Sequence, residues 1–162
     1  MEKKVCPEWF YPYLAGFIEG DGSIFCNIVV RPDYTNLFQL SPQISITQKT
    51  SKKHVLLWIL QNLQKGVLRD RGDGMSEINL SGWRDVKYVL LELKPYIQLK
   101  LPQCTLLLHI IELLPKTKNS PHLFIKTCEQ VDRLAALNDS RNRVHTSQTV
   151  RAQFLQKGMI DG

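Results

Sequence analysis

The most informative segment of the chain is Leu14-Ala15-Gly16-Phe17-Ile18-Glu19-Gly20-Asp21-Gly22, which follows aromatic and apolar residues from Trp9 onward. Gly16 and Gly20 are four residues apart, so they share one face of a helix. Because a glycine inside a helix costs about 1 kcal/mol relative to alanine, this strip of small residues predicts the close approach of a second helix. The alternative is an ordinary amphipathic helix that ends at Gly20 or Gly22.

Asp21 is expected at the C-terminal end of this helix. The helix is predicted to begin near Pro7 or Pro12 and to end at about Gly20. The helix macrodipole disfavours a negative charge at that end by roughly 0.3–1 kcal/mol. A carboxylate in this position, beside a tightly packed helix, indicates that a cation balances it.

The composition is typical of a globular protein and favours polyanionic partners. The 162 residues are 43% hydrophobic and 22% charged, with a net charge of +6. The four cysteines are widely spaced without a C-x-x-C pair, which argues against a zinc knuckle or a disulfide framework and predicts reduced thiols. No apolar run reaches the ~20 residues of a membrane span, and the N-terminal residues contain no signal or transit peptide. One domain over 1–162, without a membrane partner, is therefore expected.

Hydrophobic periodicity predicts an α+β fold with one antiparallel sheet. The order αββαββα is followed by extra C-terminal helices, and one sheet face packs on helices while the other is free. Pro42 in the second strand predicts a sheet edge or a bulge. After the first helix, the predicted elements are strands at about 24–31 and 39–47, a helix over 52–63, a hairpin over 66–80, and helices over 83–93, 102–114, 120–137 and 147–154.

The free face of the predicted sheet carries an unusual run of uncharged polar side chains. A two-stranded ribbon fits the major groove of DNA, where Gln and Asn pair with adenine and Arg pairs with guanine. An ordinary half-exposed sheet also alternates polar and apolar residues, and that alternative stays open. Five of the polar residues alternate along the second strand: Gln39, Ser41, Gln43, Ser45 and Thr47.

The segment 14–22, LAGFIEGDG, resembles the signature helix of the LAGLIDADG homing endonucleases. Only one signature is present, because Gly72-Asp73-Gly74 follows extended charged residues and is expected to be a turn. The similarity extends from about Tyr13 to Ala152 and is to the single-motif branch that organellar, chloroplast-type group I introns encode. It is carried also by Thr47-Gln48-Lys49-Thr50, Leu68-Arg69-Asp70-Arg71-Gly72, Leu99-Lys100 with Gln103, Ala135-Ala136-Leu137-Asn138-Asp139-Ser140 and Thr149-Val150-Arg151-Ala152.

The resemblance implies a homodimeric, site-specific double-strand DNA endonuclease that initiates intron homing. Asp21 of both subunits and the main-chain carbonyl of Gly20 would hold divalent cations that promote phosphodiester hydrolysis and leave short 3′ overhangs. Mg²⁺ is the expected cation, Mn²⁺ is expected to replace it, and Ca²⁺ is expected to support binding without cleavage. The signature helices would pair about a two-fold axis through Tyr13, Ala15, Gly16, Glu19 and Gly20.

The resemblance assigns three further residues to the active site. Gln48 would position water, Lys52 would stabilise the pentacovalent phosphate, and Lys100 would lie near the scissile phosphate in a loop between two helices. The ordinary alternatives are a strand-end side chain bonded to backbone, a turn cap and a solvated charge, respectively. Pro102 departs locally from the family pattern and bears on the reach of Lys100. Glu19 stands where the signature has Asp, and a local polar contact is expected for it.

The partner implied is double-stranded DNA with a long, nearly palindromic sequence. Arg141 and Arg143 belong to Ser140-Arg141-Asn142-Arg143-Val144-His145, which resembles a loop that grips phosphates; an ordinary basic surface loop is the alternative. The full set of candidate DNA-contacting residues is Phe25, Asn27, Val29, Arg31, Asp33, Tyr34, Gln39, Ser41, Gln43, Ser45, Thr47, Arg69, Arg71, Glu77, Asn79, Arg141 and Arg143.

Three other functions remain as alternatives. The same fold serves intron maturases, which bind their own RNA, and DNA-binding regulators that have lost catalysis. A purely structural dimer would leave the polar strand face unexplained. An organellar location, in the chloroplast, is expected because an intron-encoded protein made there needs no targeting peptide.

Overall fold

The computed structural model describes residues 6–162, which form six α-helices and a four-stranded antiparallel sheet. Residues 1–5, for which no targeting segment is predicted, lie outside the described residues. The strand order in the sheet is β1-β2-β4-β3, and the predicted α+β architecture is confirmed. The elements are α1 (Phe10–Asp21), β1 (Gly22–Val30), β2 (Phe38–Lys49), a single 3₁₀ turn (Thr50–Lys52), α2 (Lys53–Leu63), β3 (Val67–Asp70), β4 (Met75–Ser81), α3 (Trp83–Leu93), α4 (Leu101–Thr117), α5 (Pro121–Leu137) and α6 (Ser147–Gln156).

The chain divides into two compact units, and the division falls within β1 and β2. The first unit contains the described residues 6–24 and 43–101, and the second contains 25–42 and 102–162. In the first unit α1 packs against α3, and α2 packs against β3 and β4. In the second unit α5 packs against α6. A single endonuclease domain over 1–162 stays a prediction, and no helix among the described residues is long and apolar enough to span a membrane.

Helix α1 passes directly into β1 without a connecting loop. Pro12 lies in the first turn of the helix, where its missing N–H needs no partner. At the other end the N–H of Gly22 bonds the carbonyl of Ile18 while Gly22 itself is already extended. A Cβ at Gly22 would lie 2.8 Å from the Cα of Ile18, so only glycine fits here. This sharp junction places Asp21 at the end of the helix, as predicted.

Side chains alternate across β2 and β4 as the sequence predicts. The apolar residues Ile44, Ile46 and Ile78 are buried on one face. On the other face, polar residues are paired across the strands in a continuous register. These pairs are Gln43 with Ser81, Ser45 with Asn79 and Thr47 with Glu77.

The sheet edge predicted at Pro42 is wrong, and helix α4 is longer than predicted. The strand β2 is an inner strand, and no bulge interrupts its register with β4. Pro42 is tolerated there because it precedes Gln43, where the paired register begins. Helix α4 continues through Pro115 to Thr117 instead of ending at Leu114. Thr117 stabilises that last turn, since its hydroxyl donates to the carbonyl of Leu114 at 2.7 Å.

A buried serine connects the hairpin to the start of α2. The side chain of Ser76 is fully buried. Its hydroxyl donates to Asp70 Oδ1 at 2.7 Å and lies 3.0 Å from the hydroxyl of Thr50. Lys53 Nζ donates to Asp70 Oδ2 at 3.2 Å. These contacts join β3 and β4 to the segment that follows β2.

Replacing Ser76 with alanine is expected to lower the free energy of unfolding by about 0.5–1.5 kcal/mol, the net contribution of a typical intramolecular hydrogen bond, because the bonds of its buried hydroxyl are lost. Ser81→Ala is the matched control, since Ser81 is an exposed residue of the same strand; its effect should stay within about 0.5 kcal/mol. Urea unfolding at one fixed protein concentration measures both. Equal effects of the two substitutions would contradict the assigned role of Ser76.

The same network predicts a pH dependence. The hydroxyl of Ser76 and the ammonium of Lys53 hold the pKa of the Asp70 carboxyl below its usual 3.8. The ionised form is therefore favoured by folding, and this stabilisation is present above 3.8 and is lost as pH falls through the lower folded-state pKa. Asp70→Asn should be less stable than the wild type at neutral pH, and the difference should shrink in acid. A difference that is independent of pH would contradict this account.

Candidate active site

Asp21 and Gln48 meet where α1 and β2 end. Gln48 Nε2 donates to Asp21 Oδ2 at 3.3 Å. Gln48 Oε1 accepts the N–H of Lys49 at 3.0 Å, so the amide is held with its nitrogen toward the carboxylate. Asp21 is exposed. Gln48 therefore does bond backbone, as the ordinary alternative requires, and it also faces the candidate metal ligand.

Lys100 lies in the loop between α3 and α4 and reaches the end of α1. Its ammonium donates to the carbonyls of Ile18, Glu19 and Gly22 at 3.1, 3.2 and 2.9 Å. Carbonyls at a helix C-terminus lack partners within the helix and carry the negative end of the macrodipole. The ammonium of Lys100 is therefore bonded within the chain and is not the solvated charge of the ordinary alternative. Lys100 neutralises the carbonyl end of the helix, whereas the cation expected to balance the Asp21 carboxylate stays a prediction.

The carboxylate of Glu19 is bonded within its own chain. It accepts the N–H groups of Gln98 and Leu99, the latter at 2.7 Å. The predicted polar contact is therefore present, although its partners are 79 and 80 residues away in sequence. Each carboxylate oxygen of Glu19 accepts one of these N–H groups, so its charged end fastens a loop of its own chain, and its place at the dimer interface stays a prediction.

Lys52 is the last residue of the 3₁₀ turn and is exposed. Among residues 6–162 it forms no hydrogen bond or ion pair. Its side chain caps nothing there, which argues against the turn-cap alternative.

The oxygen atoms at the end of α1 are of the kind that bind a hard divalent cation. Such cations take carboxylate and carbonyl oxygens as ligands. Lys100 bonds the carbonyls of Glu19 and Gly22 and not those of Gly20 and Asp21 between them. Within the described part of one chain, no three His, Cys, Asp or Glu side chains are grouped so as to hold a metal ion.

The glycine face of α1 is open in a single chain. Within the described residues no atom lies within 4 Å of a Cβ built at Gly16 or Gly20. Tyr13 is also exposed on this helix. Ala15 is different, because it is only 1% exposed and packs into the core of its own chain. This burial argues against a dimer contact through the Ala15 side chain.

The polar sheet face contains internal hydrogen bonds in each unit. In the first unit Asn79 Nδ2 donates to Gln43 Oε1 at 3.0 Å. Arg71 pairs with Asp73 at 3.1 Å and with Glu77 at 4.0 Å. Both Arg69 and Arg71 are exposed.

In the second unit Arg31 Nε donates to Gln39 Oε1 at 3.2 Å. Half-buried residues from the predicted set are Phe25, Val29 and Ser41, and exposed ones are Asn27, Asp33 and Tyr34. The alternation predicted for this part of the chain is therefore present, with Cys26 and Ile28 buried between the polar positions.

Arg143 has a structural partner. Its guanidinium lies 2.6 Å from Asp132, and its side chain is only 21% exposed. Asp132 also accepts the N–H of Ser147 at the start of α6. Arg143 therefore stabilises the loop before α6, which argues against a free phosphate contact, whereas Arg141 is exposed.

The cysteines follow the sequence prediction of reduced thiols. All four are thiols outside disulfides, and Cys26, Cys104 and Cys128 are buried. Burial raises the pKa of the Cys26 thiol to about 12, so it stays protonated at neutral pH.

A family model described as LAGLIDADG endonuclease matches residues 14–100, more than half of the chain. The chain belongs to this family. It is 43% identical over 143 residues to the DNA endonuclease I-CreI of Chlamydomonas reinhardtii, covering 88% of this chain and 87% of that protein. It is 36% identical over 150 residues to the DNA endonuclease I-CvuI of Chlorella vulgaris, covering 93% and 92% of the two chains.

Solved structures of this family have the same fold. The crystal structure of I-CvuI with its target in the presence of 2 mM Ca superposes with a TM-score of 0.88 at 34% identity, over 93% of this chain and 96% of that one. A second I-CvuI complex, with the I-CreI target in 2 mM Mg, contains DNA that is not cleaved. The archaeal endonuclease I-Vdi141I, bound to DNA, shares the fold with a TM-score of 0.78 at 19% identity.

Single-motif members of this family act as homodimers. We expect the open glycine face of α1 to be the dimer contact, and a substitution at Gly16 tests this. Gly16→Leu should leave the folded chain intact, because nothing occupies the space and leucine favours a helix by about 1 kcal/mol over glycine. It should weaken the dimer at least about tenfold, since overpacking a close contact costs about 1–3 kcal/mol.

Sedimentation equilibrium measures the dimer, and circular dichroism measures the helix content. Lys126→Leu is the control, because it adds the same side chain to an exposed position of α5. An unchanged dimer affinity in Gly16→Leu would show that this face is not the contact.

Proposed function

We propose that this chain forms a homodimeric, site-specific DNA endonuclease that uses divalent cations to cut both strands of a long, pseudo-palindromic target. The observation that carries the proposal is the pairing of Asp21 with Gln48 at the exposed end of the glycine-faced helix. The DNA complexes of its relative I-CvuI, in the presence of Mg and of Ca, support it.

The dimer explains why a single chain supplies so few metal ligands. Two copies joined through Gly16 and Gly20 would bring two α1 helix ends, and two Asp21 carboxylates, toward one axis. Such like charges repel unless cations lie between them. Mg²⁺ bound by Asp21 and the Gly20 carbonyl would activate an attacking water and stabilise the leaving oxygen of the phosphodiester. Mn²⁺ would replace it, and Ca²⁺ would support binding alone.

The remaining active-site residues act by position and charge. Gln48, whose amide is already oriented by Lys49 N–H and by Asp21, would hold water beside the carboxylate. Lys100 brings a positive charge to the end of α1. There it would stabilise the negative charge that develops on the scissile phosphate. Lys52, which is exposed and unpaired among the described residues, is free to approach phosphate.

The polar sheet face would read the DNA. Amide groups of Gln and Asn and guanidinium groups of Arg can form paired hydrogen bonds with base edges in the major groove. The Gln43–Asn79 bond and the Arg31–Gln39 bond fix side chains before DNA arrives, which reduces the entropy lost on binding. Arg141 would contact phosphate in addition, and the candidate set otherwise stands as given above, with Arg143 in a supporting role.

We also infer an origin in an organellar intron, in the chloroplast. The similarity to proteins from Chlamydomonas reinhardtii and Chlorella vulgaris supports this origin.

The first experiment selects bound duplexes from a randomised palindromic library in Ca²⁺ and then exchanges Ca²⁺ for Mg²⁺. The Mg²⁺ series should extend above 2 mM, since I-CvuI leaves the I-CreI target uncut at that concentration. Wild type should cut the enriched DNA in both strands. Asp21→Asn should bind in Ca²⁺ yet cut more than about 10²-fold slower, because several kcal/mol of transition-state stabilisation depend on the metal.

Asp161→Asn is the matched control, because Asp161 is an exposed carboxylate that changes in the same way. Cleavage by Asp21→Asn at the wild-type rate would contradict the proposal. Wild-type binding without cleavage would indicate a regulator. Failure to enrich any duplex would point to a maturase, with structured intron RNA as the next ligand.

A further inference from the structure

The loop before α4 is fastened to the end of α1 by two contacts of opposite polarity. Backbone N–H groups of Gln98 and Leu99 donate to the carboxylate of Glu19. The ammonium of Lys100 donates to three carbonyls of the segment 18–22. The carboxylate and the ammonium thus hold the same three-residue loop from two sides.

Little else holds this loop in place. Leu99 is 73% exposed and gives no apolar anchor. Within the loop the N–H of Leu101 bonds the carbonyl of Gln98 at 3.3 Å, which is a long turn hydrogen bond. The nearest buried side chain is that of Ile97, which precedes the loop. Consecutive N–H groups that point the same way form an anion-binding concavity, and Glu19 supplies the anion from within the chain.

The effect on Lys100 follows from chain geometry. A lysine side chain has four rotatable bonds and loses much rotamer freedom when its ammonium is fixed. The ammonium can remain on the helix end only if the backbone that carries it is itself fixed. Glu19 fixes that backbone at the two residues immediately before Lys100.

We propose that Glu19 is a positioning residue of the endonuclease, which fixes the loop 98–100 through two backbone amides and thereby places the Lys100 ammonium at the end of α1. This inference rests on the proposed function, in which Lys100 acts near the scissile phosphate. Glu19 contacts neither substrate nor metal. Its contribution is to remove the motion of the loop that would otherwise displace the lysine.

Single-turnover cleavage of the selected DNA in Mg²⁺ tests the inference. Glu19→Gln keeps the shape of the side chain but turns an N–H donor toward a backbone N–H donor. The cleavage rate should fall about 10–100-fold, as expected when a catalytic group is misplaced by about 1 Å. The affinity for DNA in Ca²⁺ should change less than about threefold. Glu19→Asp, which keeps the carboxylate, should cut faster than Glu19→Gln.

A double-mutant cycle separates positioning from a general structural role. Lys100→Met alone should slow cleavage, and Glu19→Gln added to Lys100→Met should slow it no further, because Glu19 acts through Lys100. Glu112→Gln, which changes an exposed carboxylate of α4, is the matched control and should cut at the wild-type rate. An equal loss from Glu19→Gln in both backgrounds, or no loss at all, would overturn the inference.

Amide hydrogen exchange gives a readout that does not depend on cleavage. The N–H groups of Gln98 and Leu99 should exchange at least about tenfold faster in Glu19→Gln, while amides in the centre of α3 keep their protection. This measurement decides the matter if Lys100→Met cuts too slowly to be followed; unchanged exchange would overturn the inference. A wild type that binds DNA but never cuts it would overturn the proposed function, and the positioning role with it. A Glu19→Gln variant that cuts as fast as an active wild type would overturn this inference alone.

Discussion

The end of helix α1 concentrates negative potential at one point of the molecule. The last carbonyls of the helix, the Asp21 carboxylate and the Glu19 carboxylate all lie there, and the macrodipole adds to them. Within the chain this potential is balanced by Lys100, which bonds three carbonyls, and by the two backbone N–H groups that Glu19 accepts. Among the described residues, the Asp21 carboxylate bonds a single neutral amide, that of Gln48.

This arrangement divides the helix end into a satisfied part and a part that remains reactive. The satisfied part fixes the loop between α3 and α4 and so connects residues about 80 positions apart. The reactive part, which is proposed to bind the metal, consists of Asp21 and the Gly20 carbonyl. Because Gly22 permits the chain to enter β1 at once, the sheet that would read DNA begins directly after the proposed metal ligand Asp21.

The sequence predicts the fold well because its periodic signals are strong. The alternation of polar and apolar residues on β1 and β2, the glycine-faced helix and the helix over 120–137 all correspond to observed elements. The sheet edge predicted at Pro42 is wrong because a local rule about proline cannot reveal where the paired register begins. Helix α4 continues beyond its predicted end at Leu114, since Thr117 stabilises its last turn.

The site is less predictable from sequence than the fold. The types of residue at Asp21, Gln48 and Lys100 follow from the family resemblance, but their contacts depend on long-range packing. The bond between Glu19 and the amides of Gln98 and Leu99 leaves no local pattern, and neither does the pairing of Arg143 with Asp132. Ala15 shows the same limit. Its small size suits a contact between helices, but its position in α1 buries it in the core of its own chain.

The central claim is that Asp21 acts as a pair, with one carboxylate from each subunit of a dimer. The most direct measurement is cleavage by a mixed dimer of one wild-type and one Asp21→Asn subunit, isolated by two different affinity tags and assayed in Mg²⁺. The account predicts that this mixed dimer binds the target with wild-type affinity but fails to cut both strands at the wild-type rate. Double-strand cleavage at the full rate by a dimer with one Asp21 would contradict it.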